Sequence, residues 1–262
     1  MTEQPHPAIR TDRNGAVLTV TLCNAEQLNA QTPSMWTALA EIAHGLPDDV
    51  RVVVLAAEGR SFSAGLNRGM LRPGGMPGEP DLLGVAATGA AEMTAIIGPF
   101  QQGFAAWRRV APIVVAAVQG HAIAAGFQLA LAADLRVVAD DVQFAMREVS
   151  LGMIPDLAGT APLVEAVGYS RALEICATGR FVGAEEAVRI GLASLAVPTE
   201  QLAAATGDLV AALLATPAPA LRALKPLLHQ ALSSTLEEQV RHERQAQGHL
   251  LHGMAIAAGL GR

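Results

Sequence analysis

Ile113-Val-Val-Ala-Ala-Val118 runs straight into Gln119-Gly-His-Ala-Ile-Ala-Ala-Gly126: an unbroken apolar run, then a turn of small residues that enters a helix. The run has no polar alternation, the pattern of a strand covered on both faces. Val52-Val-Val-Leu-Ala56 repeats it and ends in a second such turn, Ala57-Glu-Gly-Arg-Ser-Phe-Ser-Ala-Gly-Leu-Asn67. Thr32-Pro33 supplies a cap and a first-turn proline, and Met35, Leu39, Ile42 and Leu46 then recur at helical spacing until Pro47. A strand, a helix and a strand in that order make an α/β fold.

Outward from this core, Ala16–Leu22 alternates as a strand after the turn Asp12–Gly15, with Ile9–Thr11 as its hairpin partner. Arg68–Gly89 is rich in Gly and Pro, which predicts an irregular, mobile segment without a stable helix, a lid beside the site. Ala90–Val110 reads as a helix, and Asp134–Val138 and Val142–Ala145 as short strands. After Thr160 the pattern is helical at 161–167, 171–178, 184–190, 200–215, 218–232 and 236–251, with Ser194–Val197 as the one further strand. We expect a core over residues 1–198 and a helical region over 199–262.

With 262 residues the chain can bury a sizeable core. Aromatic residues make up only 3%, and the abundance of Ala, Gly, Val and Leu suits close packing. A formal charge of −6 argues, weakly, against nucleic acid as a partner. The N-terminal residues lack a basic segment leading into an apolar core, and charges or prolines interrupt every long apolar run. A cytoplasmic protein without a membrane segment is the expectation. Cys23 and Cys176 share no metal-ligand or CxxC spacing and read as buried free thiols. HExxH, GxSxG, Walker and GxGxxG patterns do not occur, so metal, serine-hydrolase, nucleotide-hydrolase and dinucleotide chemistry have no support.

Each small-residue turn lies at the C-terminal end of a strand, the side on which open α/β sheets bind ligands. Two such turns side by side can aim two backbone N–H groups at one oxygen. That is an oxyanion hole, in which one lost donor costs about 3 kcal/mol of barrier. Leu66 and Ala125 are the candidate donors; the alternative is that the small residues merely permit tight turns. Glu148, ahead of Gly152-Met-Ile-Pro-Asp156, offers a carboxylate that can move protons, or else an ion pair with Arg147 or another basic group. His121 either lines the pocket or is a hydrogen-bonded structural histidine.

Phe62-Ser-Ala-Gly-Leu-Asn67, Gly120-His-Ala-Ile-Ala-Ala-Gly126, Glu148 and Gly152-Met-Ile-Pro-Asp-Leu-Ala-Gly159 resemble, in order, the motifs of the enoyl-CoA hydratase/isomerase family, the crotonases. Gln27-Leu-Asn-Ala30, Gly179–Ala187 with Gly191-Leu-Ala193, and Ala223-Leu-Lys225 also match, so the resemblance spans nearly the whole chain. It implies a crotonase-like (ClpP/crotonase) spiral of ββα units with a C-terminal helical trimerisation region, assembled as a homotrimer or a dimer of trimers. It implies an acyl-CoA thioester substrate whose carbonyl sits between the Leu66 and Ala125 amides and whose adenine lies near Leu28–Ala30 and Ala64. Coenzyme A enters as part of the substrate, and no metal or redox cofactor is implied. Lys225 matches a position from which relatives reach the CoA phosphates of a neighbouring subunit; a solvated helix lysine is the alternative.

Hydratases of this family use two glutamates, and the first position here is Gln128. An amide cannot exchange a proton at neutral pH, whereas burial can raise a carboxylate into a useful range. Gln128 holds a water or only packs. Hydration needs one group to activate water and another to protonate carbon; shifting a double bond needs a single base. The resemblance therefore implies enoyl-CoA isomerisation in fatty-acid metabolism, with weaker hydration, Glu148 acting as acid/base. A dienoyl-CoA isomerase using Glu148 and Asp156, and a noncatalytic acyl-CoA binder that has lost the second carboxylate, are the alternatives. For Asp156 itself a capping or turn role is open. A structural or assembly protein with a vestigial pocket is a further one.

Overall fold

The structure, a computed structural model, describes residues 5–260; the first four residues, part of the N-terminal reading above, lie outside it. The larger sheet has six strands, in the spatial order β1 (Ile9–Asn14), β2 (Val17–Leu22), β3 (Val52–Ala57), β4 (Ile113–Val118), β6 (Leu135–Ala139) and β9 (Leu195–Val197). Only β1 and β2 pair antiparallel; β2, β3, β4, β6 and β9 run parallel. Parallel strands need both faces covered. That is why every residue of β4 and the first four of β3 are buried.

A smaller sheet has the order β5 (His121–Ile123), β7 (Gln143–Ala145) and β8 (Val182–Gly183). The chain alternates between the two sheets. It passes from β4 through β5 into α4 (Ala125–Ala132), then from β6 through β7 towards α5 (Thr160–Val167). This is the spiral of ββα units that the sequence implied. Helices α1 (Pro33–His44) and α3 (Ala90–Arg109) pack on each other beside it.

Several expectations are corrected. The hairpin strands extend to Asn14 and turn at Gly15 and Ala16 rather than over 12–15. Thr32 does not cap α1 with its side chain; Glu79 accepts from the Ser34 amide (3.0 Å) and the Ser34 hydroxyl. The Arg68–Gly89 segment is not without helix: it holds a 3-10 turn at Arg68–Leu71 and α2 (Leu82–Thr88), capped by Asp81 Oδ1 accepting from the Gly84 amide at 2.9 Å. β5 interrupts what reads as a turn, and β8 lies beyond Thr160. Both cysteines are half-buried rather than buried.

One compact unit runs through Asp208 and a second begins at Leu209. Toward the C-terminus come α8 (Leu202–Ala215), α9 (Ala218–Ala231) and α10 (Leu236–Ala257), the last opened by a Thr235–Glu238 capping box. Within the second unit Gln239 Nε2 donates to the Leu227 carbonyl at 3.1 Å. Lys225 is buried in α9, at 6% exposure, which removes the solvated-lysine reading. Among the described residues no single helix is long and apolar enough to cross a membrane.

Candidate active site

The first turn is fixed by a buried polar network. Asn29 Nδ2 donates to the carbonyls of Glu58 (2.8 Å) and Ser61 (2.9 Å), and Ser63 Oγ donates to the Asn29 carbonyl at 2.7 Å. Gln31 ties the next layer, donating to Ser63 Oγ (3.0 Å) and accepting from the Trp36 indole (2.8 Å). Satisfied networks of this kind hold one conformation, since each broken bond would orphan a buried group. Gln31 also bridges Leu66 in parallel: its amide donates to the Gly65 carbonyl (2.7 Å) and its carbonyl accepts from Asn67 (2.8 Å). In such a bridge the middle residue's own N–H faces the opposite side, so the Leu66 amide is turned away from Gln31.

The second turn passes from β5 through Ala124, at φ 50° and ψ −116°, into α4. This left-handed backbone is costly for alanine. It is anchored by the Ala124 amide donating to the Ala145 carbonyl at 2.8 Å. Ala125 opens α4, so its N–H is one of the first-turn donors the helix cannot use, at the positive end of the helix dipole. At the other end of α4, buried Arg136 donates to the carbonyls of Ala133 (2.8 Å) and Leu192 (2.5 Å); burial lowers its pKa to about 10.

The two turns touch. A Cβ on Gly126 would lie 2.5 Å from the Ser63 carbonyl oxygen, and one on Gly65, at φ +85°, 2.6 Å from that of Ile123. Any side chain at either position would push the turns apart. The small residues therefore serve close approach between strands' ends, beyond making each turn possible.

Glu148, in a 3-10 turn at Glu148–Leu151, is 7% exposed and Gln128, on α4, 1%. Gln128 Oε1 accepts from the Leu157 (2.9 Å) and Gly159 (3.2 Å) amides, so its NH2 group must be the end that meets Glu148, donating to Oε1 at 2.7 Å. Gln128 does more than pack: it bridges the carboxylate and the 157–159 loop. Glu148 Oε2 is buried with no hydrogen-bond partner among the described residues. Burial pushes the Glu148 pKa up and the charge of Asp156 adds to it, while backbone hydrogen bonds and the Gln128 bond pull the other way. Burial raises Asp156 likewise. The Arg147 guanidinium donates to the Gly179 carbonyl at 3.1 Å, and among the described residues no ion pair joins it to Glu148. Asp156 does not cap α5, which Gly159 precedes.

A cavity of about 790 Å3 brings together Ala64, Leu66, Ala125, Gln128, Glu148 and Asp156. Leu28 and Ala30 are not on its wall, although the Leu28 carbonyl accepts from the Ala64 amide at 2.9 Å. Lys225 belongs to the other unit. His121 is exposed on β5 with its ring against Phe181, centroids 6.2 Å apart, so neither reading made for it holds. Trp36, Met93, Ile97 and Phe100 also line the cavity. Nothing in their spacing sets them apart from core residues. Among the described residues no three His, Cys, Asp or Glu side chains come together as a metal-ligand set.

The family profile described as "Enoyl-CoA hydratase/isomerase" matches residues 12–262. The chain is 32% identical to the carnitinyl-CoA dehydratase of Escherichia coli K12, over 90% of this chain and 86% of that protein. It is 31% identical to the "probable enoyl-CoA hydratase" of Rhodobacter capsulatus, over 92% and 89%. Among solved structures, a "putative enoyl-CoA hydratase" of Thermobifida fusca YX in complex with acetoacetyl-CoA superposes with a TM-score of 0.90 and 45% identity, over 93% of this chain and 94% of that one. The CoA complex from the same organism gives 0.89, again at 45%, over 95% and 94%.

Proposed function

Because the chain belongs to the enoyl-CoA hydratase/isomerase family and has its crotonase fold, we propose that it binds an enoyl-CoA thioester and moves the double bond from the 3,4 to the 2,3 position. Glu148 removes a proton from the α-carbon; the electron pair spreads onto the thioester oxygen, where the Leu66 and Ala125 amides hold it; the same carboxyl returns the proton at the γ-carbon. Atoms balance with no water consumed.

One observation carries this reading. The Gln128 amide is oriented by two backbone donors so that it can only donate to Glu148, and the position where the family's hydratases carry a second glutamate supplies no proton-transferring group. The burial that raises the Glu148 pKa makes it a stronger base than a solvated glutamate. Hydration is the weaker activity in this reading. Asp156, on the same cavity and also raised by burial, favours dienoyl isomerisation as a second reading. A binder without turnover is the remaining alternative.

CoA and acetoacetyl-CoA in the Thermobifida fusca complexes support a thioester substrate here, with CoA present only as part of it. The Leu28–Ala30 and Ala64 backbone would receive the adenine, and Lys225 the CoA phosphates of a neighbouring protomer. Exposed Leu228 and Leu232 on α9 support self-association as a trimer or a dimer of trimers. A cytoplasmic site of action completes the reading.

The test is Glu148→Gln against a panel of 2-enoyl and 3-enoyl thioesters. Isomerase turnover falls about 10³-fold while thioester binding persists. Turnover unchanged across the panel would overturn the assignment.

A further inference from the structure

We infer that the acyl group taken by this site is a long, wholly apolar chain rather than a short, carboxylated or hydroxylated one; this rests on the thioester reading above. The cavity has two chemically distinct parts. Its charged lining side chains, Arg68, Arg147, Glu148 and Asp156, come from the 3-10 turns and loops, Arg68 from the turn that packs on α2. The contribution of α2 and α3 is Leu82, Leu83, Ala86, Met93, Ile97 and Phe100, without one polar group. Met93, Ile97 and Phe100 are spaced to lie on one face of α3. Trp36 also lines the cavity, and its N–H is already given to Gln31 at 2.8 Å.

A hydroxyl or carboxylate laid against α2 and α3 would lose water and gain no side-chain partner from either helix. A short acyl group would leave the apolar wall uncovered, whereas each methylene laid against it is a favourable transfer from water. At about 790 Å3 the cavity lies toward the upper end of the range, roughly 300–1,000 Å3, that small-molecule sites occupy. The wall is a packed surface. Trp36 meets Phe100 and Phe104 with ring centroids 5.3 and 5.8 Å apart, and α3 comes so close at Gly103 that a Cβ there would lie 2.6 Å from the Trp36 carbonyl oxygen.

The experiment measures Kd and kcat/KM for straight-chain thioesters of four, eight and twelve carbons on the full chain. Affinity rises about two- to fourfold per methylene, at least tenfold between four and eight carbons. Ile97→Trp, which fills the apolar part, lowers the ratio of kcat/KM for twelve carbons to that for four by at least tenfold. If the tryptophan variant does not fold, the wild-type series decides. Affinity that is flat or falls beyond four carbons, with Glu148-dependent turnover of the short substrate intact, overturns the inference alone. No binding at any length overturns it together with the thioester reading.

Discussion

The two small-residue turns and the α2–α3 wall face one cavity and are held there by different forces. Around the turns the Asn29, Ser63 and Gln128 side chains are buried and tied to backbone groups, that of Gln31 is buried and tied to Ser63 and Trp36, and glycines bring chain within van der Waals limits of chain. The wall is apolar, and Leu83 is 41% exposed. Hydrogen bonds have short range and fixed direction, so they can set donors against one oxygen; apolar contact is nondirectional and tolerates many chains. On the proposed reading, chemistry is fixed at one end of the cavity and substrate length is adjustable at the other.

The comparison breaks most visibly at Gly126. Gly126→Ala drives a methyl group to 2.5 Å from the Ser63 oxygen and must separate the turns. Loss of an oxyanion donor predicts kcat down about 10²-fold or more. Substitution on the wall changes which substrate is preferred instead. A fall of only a few-fold for Gly126→Ala, in a variant that melts as the wild type does, would mean the turns are not the rigid end.

A smaller and more discriminating effect is expected from two variants of Glu148's neighbours. The base must be ionised to act, and its folded pKa is raised, so kcat/KM rises with pH through an apparent value above the ordinary 4.5 of glutamic acid. Gln128→Leu removes a donor that favours the ionised form, and so moves this limb to higher pH and lowers the neutral rate about tenfold. Asp156→Asn removes a like charge and moves it to lower pH. Shifts of the same sign in both variants would contradict the electrostatic account.

β3 and β4 are legible because their burial on both faces leaves no polar residue in β4 and none in Val52–Leu55. β5 and β8, three residues and two, are too short to carry a period. α2 was hidden by the Gly and Pro around it, although Asp81 three residues ahead of Gly84 is a cap signal. Residues 64, 66, 125, 128, 148 and 156 converge on one cavity as the motifs implied. The role of Gln128 was not legible. It rests on two amides 29 and 31 residues further along the chain, and only the fold brings these to its side chain.

Product analysis in heavy water tests the single-base account most directly. Given a 3-enoyl thioester, the wild-type chain should yield the 2-enoyl isomer with no water added, part of the original α-hydrogen reappearing at the γ-carbon because one carboxyl carries it across. A hydroxyacyl thioester as the main product, or an isomer whose γ-carbon takes all its new hydrogen from solvent while Glu148→Gln still turns over, would contradict it.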